Sequence, residues 1–375
     1  MKTNIYFLGL LIMAFCLSAC NSKTDPEKED PNKETTDPGS DTPSKDVIAV
    51  TPANIAAPAE GGEYTLEITT ELKWQVSSNA SWVTYNPGVG KGNGKVVVTI
   101  EKSKLYEPTA TTVTISGYGS DNTDNKVVVN VSRDCLPEDV ISGVFSVAED
   151  KQVYFSKGNL QYQASTKSWR FAENQYDIIG ADNKNISDTY DGWIDLFGWG
   201  AGTNPTLFSK DNADYAAFAD WGANMIIDAG DAFRTLTLSE WEYLFSERPN
   251  AETLRSPATV NNVKGYIFLS DEWSLPMSTG FTANANDWTT NDYSVTSWAT
   301  MEQNGAVFLS DAGFRIGNNV YGIGIGDGSY WSSTLGSPTV AWKFQFYSTA
   351  GSVKASVCGS DRCDGFSVRL VQYLG

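Results

Sequence analysis

The residues best suited to covalent chemistry are two cysteines near the C-terminus. Cys358 and Cys363 flank the segment Gly359-Ser360-Asp361-Arg362. Two cysteines this close can form a disulfide in an oxidising compartment or act as a reactive thiol pair. If they form a disulfide, Cys135 remains unpaired, and we expect it to be a buried thiol. We favour a structural disulfide between Cys358 and Cys363 and predict no catalytic residue.

The chain contains no histidine among its 375 residues, which removes several kinds of site at once. Catalysis that relies on a histidine base is excluded, and so is zinc bound by histidine. Glycoside hydrolysis needs two carboxyl groups that flank the sugar, for which Asp191, Asp195 and Glu240 are candidates. Sequence spacing does not pair them, and Glu240 is more simply a first-turn helix residue. We therefore predict that the protein is not an enzyme.

One polar segment, Asp182-Asn183-Lys184-Asn185, has the composition of a calcium-binding loop. Counted from Asp182, however, Lys184 and Ile186 fall where such a loop needs oxygen ligands. We interpret the segment as a solvated turn and predict neither a metal nor a cofactor.

The N-terminus has the pattern of an export signal. Lys2 precedes a mostly apolar run over residues 5–15, which is too short to span a bilayer. Leu17-Ser18-Ala19-Cys20 resembles a lipobox, which predicts a signal peptide over residues 1–20 and lipidation of Cys20. Residues 21–46 are rich in charged residues and proline and lack aromatic residues, which predicts a disordered acidic tether.

An acidic tract directly after the lipidated cysteine is similar to the surface-export signals of Bacteroidetes lipoproteins. We therefore expect an outer-membrane protein that contacts the membrane through its lipid anchor and faces the cell exterior. The formal net charge of −18 argues against nucleic acid as a partner, because such partners need a face rich in lysine and arginine.

Residues 47–134 have the pattern of an all-β, immunoglobulin-like sandwich. Short runs that alternate apolar and polar residues are separated by turn-forming glycine, asparagine and proline. The domain resembles the BACON family of Bacteroidetes surface proteins in Glu60-Gly61-Gly62, Trp74, Ala80-Ser81-Trp82-Val83 and Thr112-Val113-Thr114-Ile115. That resemblance implies a spacer or an accessory carbohydrate-binding module. Trp74 and Trp82 could stack on sugars, but we favour a core position for both.

Residues 137–375 differ from the first domain in composition and pattern, since they contain ten of the twelve tryptophans and few segments with a helical pattern. A helix capped by Thr237 or Ser239 is predicted over residues 235–245, and another over residues 297–303, closed by Gly305. The domain resembles the Fibrobacter succinogenes major paralogous domain in Asp195-Leu196-Phe197-Gly198-Trp199-Gly200, Gly328-Ser329-Tyr330-Trp331-Ser332-Ser333 and Gly365-Phe366-Ser367-Val368-Arg369-Leu370. More distantly it resembles the formylglycine-generating enzyme group. Both resemblances imply an α+β C-type-lectin-like fold.

That resemblance implies ligand binding on the late strands. Residues 318–364 are rich in glycine, serine, asparagine, tyrosine and tryptophan, which suit adaptable recognition. Alternation from Val340 to Phe346 puts Val340, Trp342, Phe344 and Phe346 on one face, which we expect to be core. The predicted ligand contacts are Tyr321, Tyr347, Asp361 and Arg362, with residues 348–362 as an exposed loop.

The interpretation that follows is a tethered surface lipoprotein whose second domain binds a glycan or a surface protein. Two alternatives remain open at this point. The first is an enzyme of the formylglycine-generating fold group, in which Cys358 and Cys363 would be reactive. The second is a structural subunit of a larger surface assembly.

Overall fold

The computed structural model describes residues 47–118, 125–225, 233–276, 278–350 and 352–374. The predicted signal peptide, Cys20 and the predicted tether lie outside these residues. Within the described part of the chain, no helix is long and apolar enough to cross a membrane.

The first domain is a two-sheet β sandwich, and its strands follow the alternation seen in the sequence. One sheet has the order β1-β3-β7-β5, and the other has the order β2-β9-β8-β4-β6 with β2 parallel to β9. The strands are β1 Ala49–Thr51, β2 Asn54–Ala57, β3 Gly62–Thr69, β4 Lys73–Ser78, β5 Val83–Asn86, β6 Val89–Lys91, β7 Gly94–Ile100, β8 Thr109–Tyr118 and β9 Asn125–Arg133.

The core of the sandwich lies between the two sheets and contains one of the two candidate tryptophans. Trp74 is buried there, and its indole Nε1 donates to the carbonyl of Gly92 at 2.8 Å. Trp82 is half-buried against the same core, and the guanidinium of Arg133 lies 4.4 Å from its ring centroid. Arg133 therefore covers the ring that would otherwise be available for a sugar, and the core interpretation is confirmed for Trp74.

The second domain consists of small sheets with two short helices. Their strand orders are β10-β11-β26-β15, β13-β12-β14, β18-β16-β17-β19, β21-β20-β25 and β22-β23-β24. The strands are β10 Val140–Ala148, β11 Lys151–Ser156, β12 Leu160–Gln163, β13 Ser168–Phe171, β14 Trp193–Ile194, β15 Arg234–Thr235, β16 Arg255–Val260, β17 Val263–Phe268, β18 Asp292–Tyr293, β19 Val307–Ser310, β20 Phe314–Ile316, β21 Asn319–Tyr321, β22 Asp327–Leu335, β23 Val340–Thr349, β24 Ser352–Asp361, β25 Asp364–Gly365 and β26 Leu370–Tyr373.

Both predicted helices are present, and their caps explain where they begin. Helix α1, Leu238–Glu242, continues into a π-helical turn, Tyr243–Glu247. The Thr237 hydroxyl caps α1 by accepting from the Glu240 backbone N–H. The Glu240 carboxylate in turn accepts from the Thr237 backbone N–H, which completes a capping box. Helix α2, Val295–Gln303, is capped by Ser294, and Gly305 follows it at a positive φ of 91°.

Four short 3₁₀ turns complete the helical elements of the part of the chain that the structure describes. They are Gly180–Asn185, Asn212–Tyr215, Trp221–Asn224 and Ala251–Thr253.

A buried polar network joins the C-terminal motif to the middle of the second domain. The guanidinium of Arg369 donates to Gln175 Oε1 at 2.6 Å, and the amide of Gln175 donates to Glu302 Oε1 at 2.7 Å. Asn159 donates to Tyr330 Oη at 3.0 Å in the same region. Apart from Arg369 Nε, which has no hydrogen-bond partner among the described residues, these polar groups bond one another inside an otherwise apolar core, so the motif residue Arg369 serves the fold.

The sandwich packs directly against the second domain, and the described residues of both domains belong to one compact unit. Tyr154 Oη donates to Glu60 Oε1 at 2.8 Å, and Tyr106 Oη donates to the carbonyl of Val140. Burial, followed by the Glu60 bond, raises the pKa of Tyr154, which keeps its hydroxyl a donor. The glutamate of the Glu60-Gly61-Gly62 motif thus has a structural role between the two domains.

Candidate functional site

The late-strand sheet, β22-β23-β24, divides its side chains between core and surface. Cross-strand pairing sets Tyr330 opposite Phe344 and Phe344 opposite Val357. Neighbouring residues along each strand point to opposite faces, so every second side chain lies on the same side. One face of this sheet is therefore apolar and the other polar.

The apolar face packs into the domain core, as the alternation from Val340 to Phe346 predicts. Phe344 and Phe346 are fully buried, and Trp241 of α1 stacks on Phe344 with ring centroids 5.2 Å apart. Gly328 leaves the space that Phe346 fills, because a Cβ there would lie 2.0 Å from the Phe346 ring. Trp342 is only half-buried, so burial on this face is complete in the middle of β23 and partial near its start.

The polar face forms the floor of an open cleft of about 360 Å³. We call this the ligand cleft. It is lined by Phe314, Ile325, Gly326, Asp327, Ser329, Lys343, Gln345, Tyr347, Ser348, Ser360, Asp364 and Phe366. Carboxylate, amide, hydroxyl and amine groups therefore share one concave surface with aromatic rings, as in small-molecule sites.

One wall of the cleft is apolar and comes from the β20–β21 hairpin and the segment after it. Phe314 lines the cleft, and Tyr321 stacks on Phe314 with ring centroids 5.5 Å apart. Ile325 projects from the rim and is 63% exposed. The buried carboxylate of Asp311 holds this wall, since it accepts from the backbone N–H groups of Gly313 at 3.1 Å and Gly326 at 2.6 Å.

Lys343 lies at the floor of the cleft, where its side chain is largely shielded from solvent. The residue is only 6% exposed, and its Nζ lies 4.3 Å from the ring centroid of Phe366. Nζ donates to Ser329 Oγ at 2.8 Å, and no carboxylate oxygen of the described residues lies within 4 Å of it. Burial lowers the pKa of the Lys343 amine, while the nearby Cys358, Asp327 and Asp364 act against that shift.

The acidic residues of the cleft complete its electrostatics. Asp364 accepts from Ser360 Oγ at 3.0 Å, and burial raises the pKa of its carboxyl group. Asp327 begins β22 on the same floor as Gln345 and Tyr347. The cleft thus presents an amine donor, carboxylate acceptors and an amide that can do both.

The four predicted ligand residues do not lie together in one site. Tyr347 lines the cleft, and Tyr321 is exposed behind Phe314 on the apolar wall. Asp361 is exposed at the end of β24, outside the cleft, where it accepts from Asn212 Nδ2 at 3.3 Å.

Arg362 requires a correction, because it is buried. It is 5% exposed, and its guanidinium donates to the carbonyls of Asn212 and Pro338 within the fold. Residues 348–362 are also not a loop, since β24 occupies most of that segment and pairs with β23 along its length. The β-propensity of Val353 and Val357 was the available signal for this strand.

The predicted disulfide is not formed, because Cys135, Cys358 and Cys363 are all free thiols. Cys358 lies on the polar face of β24, where its Sγ donates to Gln345 Oε1 at 3.0 Å. Cys363 is buried in the turn after β24, and its amide donates to Asn212 Oδ1 at 3.1 Å. The two side chains are therefore held by different neighbours. Burial raises the pKa of both thiols, which disfavours the reactive thiolate.

The calcium-like segment is a 3₁₀ turn in which Asp182, Lys184 and Asn185 are exposed, as predicted, whereas Asn183 points into the fold. Asn183 is fully buried, and its Nδ2 donates to Asp195 Oδ1 at 2.7 Å. Asp195 also accepts from the backbone N–H of Ile179 at 2.9 Å. Glu240, another of the three candidates for hydrolysis, accepts two bonds from Arg234 at 2.7 and 2.8 Å. Both carboxylates are thus engaged in structure.

Asp195 makes the stability of the second domain dependent on pH. Burial raises its pKa to about 6 from 3.8, so the folded state binds a proton more tightly than the unfolded state. Stability from this group is present in full below pH 3.8 and is lost as the pH rises towards 6. We expect the free energy of unfolding to fall by about 3 kcal/mol across that range relative to Asp195→Asn. Urea unfolding of both proteins from pH 4 to 7 measures this, and a pH-independent difference contradicts it.

Sequence reasoning missed most of the polar floor. Lys343, Gln345 and Ser329 were not singled out, although the alternation that buries Phe344 and Phe346 also places Lys343 and Gln345 on the opposite face. The contributions of Asp327 and Asp364 depend on strand pairing between distant segments, which the sequence does not give.

Comparison with known families identifies the first domain. Residues 47–132 match the family model of the viral BACON domain. The predicted BACON-like domain at the N-terminal end of the folded chain is thereby confirmed. A search of curated proteins finds no match to the chain.

Solved structures match parts of the chain with low scores. A Bacteroides ovatus GH5 xyloglucanase, solved with a XXXG heptasaccharide, is 24% identical with a TM-score of 0.22. That match covers 24% of this chain and only 19% of the xyloglucanase. A PapD-like domain of human CEP192 is 15% identical, with coverage of 28% of this chain and 94% of that domain and a TM-score of 0.22. The E. coli chaperone DraB is 9% identical, with coverage of 30% and 72% and a TM-score of 0.21.

Proposed function

We propose that the protein is a lipid-anchored surface protein whose second domain binds a glycan in the ligand cleft. In this proposal the second domain has a C-type-lectin-like fold of the Fibrobacter succinogenes paralogous type, and the BACON-like domain is its spacer. Export, the lipid anchor at Cys20 and the position on the outer membrane rest on the sequence of residues 1–46. The protein binds its ligand without turnover.

The observation that carries the proposal is that aromatic rings and polar side chains line the same cleft. A sugar has apolar C–H faces that pack on aromatic rings and hydroxyl groups that both donate and accept hydrogen bonds. The cleft offers the rings of Phe314 and Tyr347 together with the polar groups of Asp327, Lys343 and Gln345. Among the two ligand classes that the sequence leaves open, this combination favours a glycan over a protein.

A glycan-array screen of the fragment from Asp46 to Gly375 tests the proposal directly. We expect reproducible hits that are lost when Asp327 and Gln345 are both replaced by alanine. A clean negative from a folded sample overturns the glycan proposal, and protein partners then become the subject of the search.

Tyr347 should contribute directly to glycan affinity. We expect Tyr347→Ala to weaken the binding of a glycan hit by about tenfold, since loss of one aromatic contact costs about 1.4 kcal/mol. Isothermal titration with the purified fragment measures the change.

Tyr118→Ala is the matched control, because Tyr118 is 47% exposed on β8 of the sandwich, outside the cleft. Its affinity should equal that of the unmodified protein. Weakening by Tyr118→Ala but not by Tyr347→Ala would place the binding surface on the sandwich and reverse the roles of the two domains.

A further inference from the structure

Hydrogen bonding to a sugar does not fully explain the buried position of the Lys343 amine in the ligand cleft. Its stem is buried beneath the floor, and its amine lies between the Ser329 hydroxyl and the face of the Phe366 ring. Most lysines keep their ammonium group in water and bury only the stem. Here the amine end is also enclosed, and within the described residues it has no ion-pair partner.

We infer that Lys343 is a nucleophilic amine that captures aldehyde ligands reversibly as an imine in this cleft. The inference rests on the proposed function in one respect, because it places the aldehyde in the cleft that we propose for glycans. The open-chain form of a reducing sugar carries such an aldehyde.

The chemistry needs an uncharged amine and a proton donor. A desolvated lysine loses its proton more readily than a solvated one, and this is how proteins prepare lysines for imine formation. The charged and titratable groups that face Lys343 are Asp327 from β22, Cys358 from β24 and Asp364 from β25. Their influence opposes that of burial, and burial has the larger effect, so the pKa of Lys343 is lowered overall.

Asp364 is the group in the cleft suited to supply the proton. Its carboxyl group is half-buried and holds Ser360 at 3.0 Å, and burial raises its pKa. A carboxyl group with a raised pKa is a better proton donor near neutral pH than a solvated aspartate.

The atoms balance without a further reactant. The nitrogen lone pair of Lys343 forms a bond to the aldehyde carbon, and the carbonyl electron pair moves to oxygen, which takes a proton from Asp364. One nitrogen hydrogen then returns to the Asp364 carboxylate, and the second is passed through that carboxyl group to the hydroxyl oxygen, so that the carbon–oxygen bond breaks and water leaves. The net change is one amine and one aldehyde giving one imine and one water, and hydrolysis reverses it.

The test uses glycolaldehyde as the probe and sodium cyanoborohydride as the reductant that makes the imine permanent. The unmodified fragment from Asp46 to Gly375 is treated at pH 6.5, and peptide mass mapping then gives the modified fraction of each lysine. Lys354 is the internal reference, because it is exposed on the neighbouring strand β24. We expect Lys343 to be modified at least roughly threefold more than Lys354.

Two variants sharpen the result. Asp364→Asn should slow modification of Lys343 and leave Lys354 unchanged, which assigns the proton to Asp364. Lys343→Met keeps the buried stem, and its preparation should lose the preferred site while the other lysines react as before.

Equal or lower modification of Lys343 relative to Lys354 in the unmodified protein overturns the inference. This outcome needs no variant, so a folding defect cannot cause it. If Lys343 is not preferred but glycans bind, the cleft is a non-covalent site and only the imine is wrong. If Lys343 is preferred but no glycan binds, the imine stands and the proposed function is wrong.

Discussion

Replacing Arg369 with methionine should reduce the stability of the protein by about 3 kcal/mol or more, as expected when a buried, hydrogen-bonded charge is removed. Arg369 is 1% exposed, and its bond to Gln175 links it to Glu302. Methionine fills the space of the stem but leaves Gln175 Oε1 without its strongest donor and Glu302 without its cationic neighbour. Thermal and urea unfolding of the fragment from Asp46 to Gly375 measure the loss.

Arg170→Met is the matched control for this prediction. Arg170 is exposed, and its guanidinium lies 3.8 Å from the ring centroid of Trp193. We expect that variant to lose about 1 kcal/mol or less. Similar losses in the two variants would mean that the network around Arg369 does not hold the domain together.

Asp311→Ala should abolish most ligand binding, although Asp311 itself does not contact the ligand. The buried carboxylate ties the two ends of the apolar wall to each other through Gly313 and Gly326. Without it, two buried N–H groups lose their acceptor, which costs about 2–4 kcal/mol and releases the wall that carries Phe314 and Ile325. We expect affinity for a glycan hit to fall by about tenfold or more.

Hydrogen exchange distinguishes this mechanism from general unfolding. The amides of Gly313 and Gly326 should exchange faster in Asp311→Ala, while those of the α1 region keep their protection. Asp287→Ala is the control, since Asp287 also accepts from backbone N–H groups, those of Thr289 and Thr290, at 2.7 and 2.8 Å. Binding that survives in Asp311→Ala would show that the apolar wall has no part in the site.

Local patterns predict the elements of this fold well. The capping residues Thr237 and Glu240 mark the start of α1, and alternation along β23 assigns Phe344 and Phe346 to the core. Both signals depend on interactions between residues close in the chain. The BACON-like sandwich was likewise visible in its short alternating strands.

The ligand cleft was harder to predict because it is assembled from distant segments. Lys343, Ser329 and Asp364 belong to three different strands, and their meeting depends on pairing that no local pattern specifies. Arg362 has the side chain of a surface ligand-binding residue, yet tertiary contacts with Asn212 and Pro338 bury it. A sequence rule that assigns polar side chains to the surface fails wherever backbone carbonyls are available to satisfy them.

The division of the late-strand sheet into two faces has a consequence for how this protein can change. Residues that line the cleft floor alternate with residues that hold the core, so Lys343, Gln345 and Tyr347 can vary while Phe344 and Phe346 stay fixed. Ser356, Cys358 and Ser360 on β24 extend the same variable set. A combinatorial library restricted to these six positions should therefore yield folded proteins with new specificities. Descendants of one ancestral chain could diverge in ligand by the same route while they keep a common scaffold.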